Sequence, residues 1–331
     1  MKKIAVVILN WNGKNLLNTF LPSVIQYSDL ANIYVIDNSS TDGSQHFLKE
    51  KYPTINIIQN DGNYGFAKGY NIGLQNIKED YLALVNSDIE VTEDWLQPIV
   101  EIFDTSKETC VIQPKILDYK RKTHFEYAGA AGGFIDKYGY PYCRGRIFET
   151  VEEDKGQYDD ESEIFWASGA CLFIRNNTFK MLNGFDEDFF AHQEEIDLCW
   201  RAFNANCKIM YTYKSKVYHV GGATLQASNP QKTFLNFRNS LAMLVKNLPA
   251  SKLFPVIFVR LVLDGVAFFK FIFDGKAAHA FSILKAHYYF YFHILRNFKK
   301  RKTSFRDDYF TIPSIVSKYF IQSKKEFKNL L

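Results

Sequence analysis

The sequence predicts an α/β fold in which a mixed, mostly parallel sheet has helices on both faces. Through the first 115 residues, apolar runs of strand length alternate with stretches of helical length, the pattern of a parallel sheet with crossover helices. The apolar runs lie at 4–9, 33–36, 55–58, 81–85 and 109–112, and the helical stretches at 14–28, 43–51, 66–78 and 92–104. Most runs end in Asn or Asp, at the sheet edge where ligands bind in such folds.

The alternation breaks in the middle of the chain and then returns. Residues 116–162 mix Gly, Tyr and charge, which predicts an irregular excursion with a hairpin and a mobile loop. Further strands are predicted at 164–174, 207–213 and 216–220, and helices at 177–182 and near 194–205. Helical sequence follows from residue 230. We therefore predict a sheet domain at 1–228 and a carboxyl-terminal helical region at 229–331.

Charge is divided unevenly along the chain. The formal net charge is +4, but residues 241–331 carry 16 Lys and Arg against 5 Asp and Glu, whereas residues 1–240 carry 24 against 31. A basic end rich in Phe and Tyr indicates contact with an anionic surface. The five cysteines show neither a CxxC pair nor zinc-ligand spacing, which fits a reducing cytosol and predicts a cytoplasmic location.

The segment Leu253–Phe273 is apolar over about the length of a membrane span. Its charged residues nevertheless share one arc of about 120° on a helical wheel, opposite a broad apolar face. These residues, with the one that follows the segment, are Arg260, Asp264, Lys270 and Asp274. Such a helix is predicted to lie in a membrane interface and not to cross the bilayer.

Aromatic residues at 288–292 lead into the basic run 299–302, a pattern that fits anchoring at an anionic leaflet. The alternatives are a helical subdomain packed on the sheet and an oligomer contact. Nucleic acid is not an expected partner, because no RNP, KH or helix-turn-helix pattern is present.

Acidic residues at the strand ends carry the predicted chemistry. Asp88, in Asn86-Ser87-Asp88, is suited to bind a divalent metal or a sugar hydroxyl. His219 follows a predicted strand and could supply an imidazole ligand to the same ion. Glu194 and Glu195 open a helix, where the dipole favours an ionised carboxylate, so either could be a general base. The ordinary alternatives are a helix cap, a hydrogen-bonded histidine and simple helix-start acidity.

Two further segments are candidates for contacts to a nucleotide. Asp37 ends the second apolar run and could accept hydrogen bonds from a base or ribose, while Asp42 and Ser44 suit capping of the next helix. Residues 63–73 (NYGFAKGYNIG) are glycine-rich and enter a predicted helix, which permits close backbone approach. This segment matches neither GxGxxG nor a Walker A loop, so neither a dinucleotide nor a triphosphate cradle is predicted.

Seven collinear segments together resemble the inverting GT-A glycosyltransferases of family 2, in particular the rhamnosyltransferase-like branch. The ordered set covers residues 4–222 and is far more specific than any single segment. The segments are VVILNWNG (6–13), VIDNSSTDGS (35–44), NYGFAKGYNIG (63–73), LVNSDIEV (84–91), WASGACLFIR (166–175), GFDEDFFAHQEEIDLCWR (184–201) and VYHVGG (217–222).

The resemblance implies a role for each matching position. It makes Asp37 a contact to the base, puts Asn86-Ser87-Asp88 in place of the DxD motif with Asp88 as metal ligand, and makes His219 a second ligand on the metal side. The base position is Glu195, with Glu194 as the alternative. The full predicted set for the sugar donor is Asn10, Asn12, Asp37, Asn63, Lys68, Asn86, Ser87 and Asp88, and that for the acceptor is Trp166, Ser168, Gly169 and Ala170.

Two positions differ from the family pattern. Asn86 stands where the first Asp of DxD is usual, which leaves fewer charged ligands for a metal. The base position carries Glu, where Asp is more usual, and the extra methylene moves the carboxylate by about one bond length.

The implied activity is transfer of a sugar, with inversion, from a nucleoside-diphosphate sugar to a hydroxyl of a glycan. The expected sugar donor is dTDP-rhamnose first and a UDP-hexose next, and the expected cofactor is Mn²⁺ or Mg²⁺. The expected acceptor is a glycan on a polyprenyl diphosphate, reached at the inner face of the cytoplasmic membrane. A nucleotidyltransferase, which should show a Gly-rich, Arg-containing loop after the first strand, and a non-catalytic sugar-binding module are the alternatives.

Overall fold

A computed structural model describes residues 3–221, 229–302 and 304–330 of the 331-residue chain. Gly222, the last residue of the seventh matching segment, lies outside the described residues, as does residue 228 at the predicted domain boundary.

Strands and helices alternate along the first half of the described chain. The strands are β1 (Ile4–Asn10), β2 (Ala31–Asp37), β3 (Asn56–Gln59), β4 (Tyr81–Asn86), β5 (Ile89–Val91), β6 (Thr109–Asp118), β7 (Gly133–Ile135), β8 (Pro141–Cys143), β9 (Arg146–Ile147), β10 (Thr150–Val151), β11 (Glu161–Glu163), β12 (Cys171–Arg175) and β13 (Lys208–His219). The helices are α1 (Lys14–Gln26), α2 (Ser44–Lys51), α3 (Gly65–Gly73), α4 (Gln97–Thr105), α5 (Asn176–Met181), α6 (Glu194–Asn204), α7 (Pro230–Asn247), α8 (Ala250–Phe273), α9 (Ala277–Phe292) and α10 (Ile294–Lys299).

The central sheet has the order β11-β13-β6-β12-β4-β1-β2-β3, with β5 paired to β13. Strands β3, β2, β1 and β4 are mutually parallel, and β12 runs antiparallel between β4 and β6. The predicted mixed, mostly parallel α/β fold is therefore confirmed. The carboxyl ends of β1, β2 and β4 lie side by side, because Asn10 is in register with Asp37 and Leu9 with Asn86.

Alternating side chains of β1 enter two different apolar clusters. Ile4, Val6 and Ile8 pack with α1 and α4, whereas Ala5 and Val7 pack with α3 and α6. All five are buried, so β1 has helices on both faces and its sequence is a continuous apolar run. Two buried layers of this kind hold the polar strand ends at a fixed edge.

Three predicted elements differ from the structure. The predicted strand 164–174 is regular only at Cys171–Arg175, because Trp166 makes a single bridge to Gly133 before the chain bends. The two predicted strands at 207–213 and 216–220 form one strand, β13, with a register shift between Thr212 and Lys216. The excursion 116–162 begins inside β6 and contains a second, antiparallel sheet, β10-β9-β8-β7.

The end of the chain returns to that second sheet. Ile312, Ile315 and Leu330 form a small apolar cluster with Tyr142 and Ile147. The excursion is thus held by residues more than 150 positions away in the chain, a link that no local pattern could reveal.

Helix α8 is oriented with charge inward and aromatic rings outward. Arg260 and Asp264, 3% and 0% exposed, lie 3.6 Å apart and face the rest of the protein. Arg260 donates to the Ser240 hydroxyl of α7 at 2.6 Å, and the second Asp264 oxygen lies 3.0 Å from His287 Nε2 of α9. The outer face of α8 carries seven exposed apolar side chains: Phe254, Phe258, Val262, Val266, Phe269, Ile272 and Phe273.

Helix α9 and the start of α10 extend this apolar surface, which we call the aromatic face. Their exposed side chains are Phe281, Leu284, Tyr288, Tyr291, Phe292 and Leu295. Within the described residues, none of the helices combines the length and the apolarity that crossing a bilayer requires.

We predict that Arg260→Met lowers the free energy of unfolding by about 3–5 kcal/mol, because Asp264 then stays buried without its cation. Lys270→Met is the matched control, since Lys270 and Asp274 form an exposed pair on the same helix with the same spacing, and it should cost less than about 1 kcal/mol. Urea denaturation measures both. Equal losses in the two variants would show that the buried pair contributes nothing special.

Candidate active site

The ends of β1 and β2 form one hydrogen-bonded turn. Asn10 donates its amide to Asp37 Oδ1 at 2.9 Å and to the Ser40 hydroxyl at 3.1 Å. The Ser40 N–H donates to Asp37 Oδ2 at 2.9 Å, and Gln45 donates to the same oxygen at 3.1 Å. Asp37 therefore also organises the turn before α2, a role that was predicted only for Asp42 and Ser44.

Asp37 stays ionised in this turn. Burial favours its neutral form, but the hydrogen bonds from Ser40, Asn10 and Gln45 outweigh burial and hold its pKa below the usual value. The residue is fully buried and both of its oxygens already accept hydrogen bonds. A nucleotide base would have to replace one of these protein donors.

Asn12, in the loop between β1 and α1, makes further hydrogen bonds to the same turn. Its φ is 51°, and its side-chain oxygen accepts from the Thr41 N–H at 2.8 Å. Its own N–H donates to the Ser40 hydroxyl at 2.9 Å. Trp11, between the two asparagines, is exposed beside this turn.

The glycines of residues 63–73 permit close packing against the protein itself. A Cβ on Gly69 would lie 2.7 Å from the Asn38 amide, and one on Gly73 would lie 2.3 Å from Ile36. Gly65 has a φ of 71° and lies against Phe190. Of the two predicted donor-site residues here, Asn63 accepts from the Gly65 N–H and the Lys68 ammonium lies over the Tyr64 ring.

Asp88 and His219 come together as the sequence analysis expects. The His219 Nε2 atom lies 3.2 Å from Asp88 Oδ1, and both side chains are 6% exposed. The strand pairing explains this contact, because β5 follows Asp88 directly and pairs with the end of β13 at His219. Asn86 and Ser87 precede Asp88 in the turn after β4 and are half-buried.

Glu126 lies on the other side of His219. Its Oε1 atom is 3.3 Å from His219 Nδ1, so the imidazole stands between two carboxylates. Burial disfavours the imidazolium, but Glu126 and Asp88 together raise the pKa of His219 to about 10. No spacing pattern in the excursion 116–162 marks Glu126, so this residue was not predicted.

The Asp88–His219 pair fits a divalent cation in its chemistry. Carboxylate oxygen and imidazole nitrogen are both ligands for Mn²⁺. A bound cation would supply the positive charge that the imidazolium of His219 now supplies between the two carboxylates. The described residues contain no cluster of three or more His, Cys, Asp and Glu side chains that could hold a metal ion alone. An ion that binds through one or two protein ligands, substrate phosphates and water needs no larger cluster.

Glu194 and Glu195 begin α6 and differ in their surroundings. Glu194 is buried, and burial together with the charge of Glu195 raises its pKa well above the usual value. Glu195 is half-buried, and burial raises its pKa to about 7. A carboxyl group with that pKa and partial access is suited to accept a proton near neutral pH.

Four enclosed polar atoms around these glutamates have no hydrogen-bond partner among the described residues. They are His192 Nε2, Gln193 Oε1, Glu194 Oε2 and Glu195 Oε2. Burial also lowers the pKa of His192 to about 4, so its imidazole is neutral. Because buried polar groups normally have partners, this group of atoms marks a place prepared for a polar ligand.

The four predicted acceptor-side residues divide into two kinds. Trp166 and Ser168 are buried, and they donate to the carbonyls of Phe134 and Ala128. Their side chains are turned into the protein. Gly169, by contrast, is half-buried, and a Cβ there would lie 3.6 Å from Glu195.

Ala170 links the glutamates to the metal-side strand. Its carbonyl accepts from the Asn86 N–H at 2.9 Å, so the chain 169–170 spans from Glu195 to the end of β4. Glu195 and the Asn86-Ser87-Asp88 turn therefore belong to one region of the molecule, although over a hundred residues separate them in sequence.

We predict that Glu195→Gln stabilises the fold at alkaline pH. Because the folded pKa lies above the unfolded value, stability falls as the pH rises from about 4.5 to about 7, where the folded protein still binds a proton that the unfolded chain has released. Removal of the charge should add about 1–3 kcal/mol at pH 8 and almost nothing at pH 4.5. Denaturation at both pH values measures this, with the exposed change Glu163→Gln as control. A loss of stability at pH 8 would contradict the prediction.

Comparisons with known proteins agree with this geometry. A sequence model described as Glycosyl transferase family 2 matches residues 5–176, just over half of the chain. The low-salt glycan biosynthesis hexosyltransferase Agl10 of Haloferax volcanii is 22% identical over 71% of this chain and 73% of its own length. The N-acetylglucosaminyl-diphospho-decaprenol L-rhamnosyltransferase of Mycobacterium tuberculosis is 22% identical over 65% and 75%.

A solved structure shares the fold. GalNAc-T7, crystallised with UDP, GalNAc and Mn²⁺, superposes with a TM-score of 0.58 at 17% identity, over 76% of this chain and 49% of that one. The polar sheet edge, the paired Asp88 and His219 and the matched family sequence all support the resemblance that the motifs predict. This chain is a glycosyltransferase and belongs to glycosyltransferase family 2.

Proposed function

We propose that this enzyme transfers a hexose, with inversion, from a nucleoside-diphosphate sugar to a hydroxyl of a lipid-linked glycan at a membrane surface. Rhamnose from dTDP-rhamnose is the first candidate, and a UDP-hexose is the second. The observation that carries the proposal is Glu195, whose Oε2 atom has no hydrogen-bond partner among the described residues, beside the segment that leads to the end of β4.

Glu195 is the better candidate for the base than Glu194. Both have a raised pKa, but Glu194 is 4% exposed, whereas Glu195 is half-buried and faces the half-buried Gly169. An acceptor hydroxyl can reach only a carboxylate that the cleft exposes. The charge of Glu195, together with burial, raises the pKa of Glu194, so Glu194 is the one of the two that keeps its proton.

The reaction is a single in-line displacement. Glu195 accepts the proton of the acceptor hydroxyl while that oxygen forms a bond to the anomeric carbon. The bond from this carbon to the diphosphate oxygen breaks on the opposite side, and the nucleoside diphosphate leaves with the electron pair. Attack opposite the leaving group inverts the anomeric configuration.

The negative charge of the leaving diphosphate has to be balanced. Asp88 and His219 would hold a divalent cation, which when bound stabilises that charge. Asn86 and Ser87 contribute neutral oxygen and nitrogen atoms beside it, and Glu126 holds the imidazole of His219 in place from behind. Asn86, where the family has Asp, leaves the site with one carboxylate fewer.

The choice of substrates draws on the relatives. The M. tuberculosis relative is named for transfer of L-rhamnose to a decaprenyl-diphosphate-linked sugar, which supports both rhamnose and a lipid-linked acceptor here. Such an acceptor has its reactive sugar close to a bilayer, so the enzyme must work at that surface. The aromatic face of α8 to α10 supports the same idea from the structure.

A membrane is the partner that best fits the aromatic face. Thirteen exposed apolar side chains on adjacent helices are far more than a monomeric surface normally shows. Eight of them are Phe or Tyr, which favour the interfacial layer of a bilayer. The basic run 299–302 contributes less than the sequence suggests, because Lys300 bonds to Asp186 and Asp188, and Arg301 donates to backbone carbonyls of α7 and the residue after it.

We predict that the true sugar donor raises the unfolding temperature in a panel of nucleoside-diphosphate sugars, and more so with Mn²⁺ present. A ligand at 100 times its Kd stabilises the fold by about 2.7 kcal/mol, which such a scan detects easily. Glu195→Gln should keep the donor-induced shift and lose transfer of sugar, by about a thousandfold or more, because binding does not need the base. Transfer is followed by mass spectrometry on a prenyl-diphosphate glycan.

The control for the metal is Asp88→Asn. This variant should lose the extra shift that Mn²⁺ gives with the nucleoside diphosphate alone. An unchanged Mn²⁺ effect in Asp88→Asn, or full transfer in Glu195→Gln, would contradict the assigned roles.

We predict that Phe254→Ser/Phe258→Ser/Val262→Ser loses binding to vesicles of phosphatidylglycerol and phosphatidylethanolamine. Each buried apolar side chain contributes about 1.5–3 kcal/mol, so three losses should weaken co-sedimentation by far more than about tenfold. The control is Leu30→Ser/Met181→Ser, which changes exposed apolar residues far from α8 in the chain. If wild-type protein does not bind vesicles but forms dimers through these residues, as measured by light scattering, the aromatic face binds a second copy of the chain and the membrane proposal is wrong.

A further inference from the structure

The loop 186–193, directly before Glu194, has an unfavourable backbone. Three of its residues that are not glycine have positive φ: Phe190 at 64°, His192 at 69° and Gln193 at 70°. Each such conformation costs about 1 kcal/mol or more for an L-residue, so the surroundings must hold it in place. The last two residues of the loop set the direction in which α6 and its glutamates begin.

Asn239, on α7, supplies most of that support. Its side chain is fully buried, and its two amide N–H groups are shared among three loop carbonyls: those of Phe189 at 3.1 Å, Ala191 at 2.9 Å and His192 at 2.7 Å. An unpaired carbonyl in the interior would be costly, and this amide serves the carbonyls of Ala191 and His192 while it shares that of Phe189 with the Ala191 N–H.

Arg238 fixes the orientation of the Asn239 amide. Its Nε donates to Asn239 Oδ1 at 2.7 Å, which leaves the amide nitrogen directed at the loop. Its Nη2 donates to the carbonyls of Asp188 at 3.0 Å and Phe189 at 2.8 Å. Arg238 and Asn239 together bind four carbonyls of this loop, those of Asp188, Phe189, Ala191 and His192.

The opposite side of the loop is held by α3. The Phe66 N–H donates to the Phe190 carbonyl at 2.9 Å, and Gly65 leaves room for that carbonyl and the Phe190 ring. The loop is therefore clamped between α3, from the sheet domain, and α7, from the carboxyl-terminal region.

We propose that Asn239, oriented by Arg238, is a positioning residue for the catalytic carboxylate of Glu195. It touches neither the predicted substrates nor the reacting atoms, and it acts by holding the left-handed turn at His192 and Gln193 from which α6 begins. The proposal rests on the proposed function in one respect, that Glu195 is the base. It also gives the carboxyl-terminal helices a part in catalysis that is separate from any contact with a membrane.

The test compares Asn239→Ala with Asn204→Ala in the full-length chain. Asn204 is the matched control because it is also a buried asparagine, and it ties the far end of α6 to the carboxyl-terminal region through Asn247 and Arg306. Turnover, KM for the sugar donor and backbone hydrogen exchange of residues 188–195 are measured for both variants.

Asn239→Ala should lower kcat by about 10²-fold, the usual cost of a small misplacement of a catalytic group. Its KM for the sugar donor should stay within about threefold, because the predicted donor contacts lie on other strand ends. Exchange at 188–195 should rise. Asn204→Ala should lose stability but keep both kcat and the slow exchange of the loop.

Arg238→Gln is the second variant in case Asn239→Ala does not fold. Arg238 is only half-buried, and its loss should lower kcat and raise exchange in the same direction but to a smaller extent. Wild-type kcat in Asn239→Ala, or losses of kcat that follow stability equally in Asn239→Ala and Asn204→Ala, would overturn the proposal. If the wild-type enzyme transfers no sugar at all, the proposed function fails, and unchanged exchange at 188–195 would then overturn the positioning role independently.

Discussion

Two buried aspartates and the lysine between them set the geometry on which the site depends. Lys246 of α7 bonds to Asp186 at 2.6 Å and to Asp197 at 2.8 Å, and all three side chains are nearly inaccessible. Isolated charges of this kind could not stay in the interior, whereas the paired ones hold each other there. Asp186 begins the loop before α6 and Asp197 lies in the first turn of that helix. The lysine therefore ties both ends of the segment that carries Glu194 and Glu195 to the carboxyl-terminal region.

The end of β13 has a similar arrangement, in which two buried carboxylates lie on either side of one nitrogen-bearing side chain. Asp88 and Glu126 are also buried carboxylates, and the group between them is the His219 imidazole. A lysine keeps its charge, whereas an imidazole can lose its proton and then bind a metal ion through the free nitrogen. The region therefore holds one fixed ion cluster beside the glutamates and a second cluster whose central group, His219, is titratable.

Helix α7 joins these features to the aromatic face. It carries Asn239 and Lys246 on the side of the loop, and Ser240 on the side of Arg260 in α8. Helix α8 buries its charged pair against this support and leaves its rings outside, the reverse of a helix in an ordinary water-soluble domain. One helix, α7, therefore supports both the loop that precedes Glu194 and Glu195 and the helix that carries the aromatic face.

The alternation of strands and helices up to residue 112 could be predicted because it depends on local patterns. An apolar run such as Ile4–Asn10 favours a buried strand wherever it occurs, and its polar last residue must lie at the edge. The contact of Asp88 with His219 could also be predicted, because each of these residues lies at or just after the end of a strand of the sheet. Glu126 and Asn239 were missed, because a carboxylate in an irregular excursion and an asparagine in a helix show nothing unusual in their neighbours along the chain.

The sequence by itself determined the α/β class, the acidic strand ends and the division of α8 into a charged and an apolar arc, all of which follow from the order of side chains along one element. Only the tertiary structure decided which arc of α8 faces the protein, that Trp166 and Ser168 point inward while Gly169 lies beside Glu195, and that the end of the chain packs on the second sheet. These outcomes depend on contacts between segments up to about 180 residues apart. Such contacts are fixed by which surfaces and charges find partners after the elements have packed, and no local pattern contains that information.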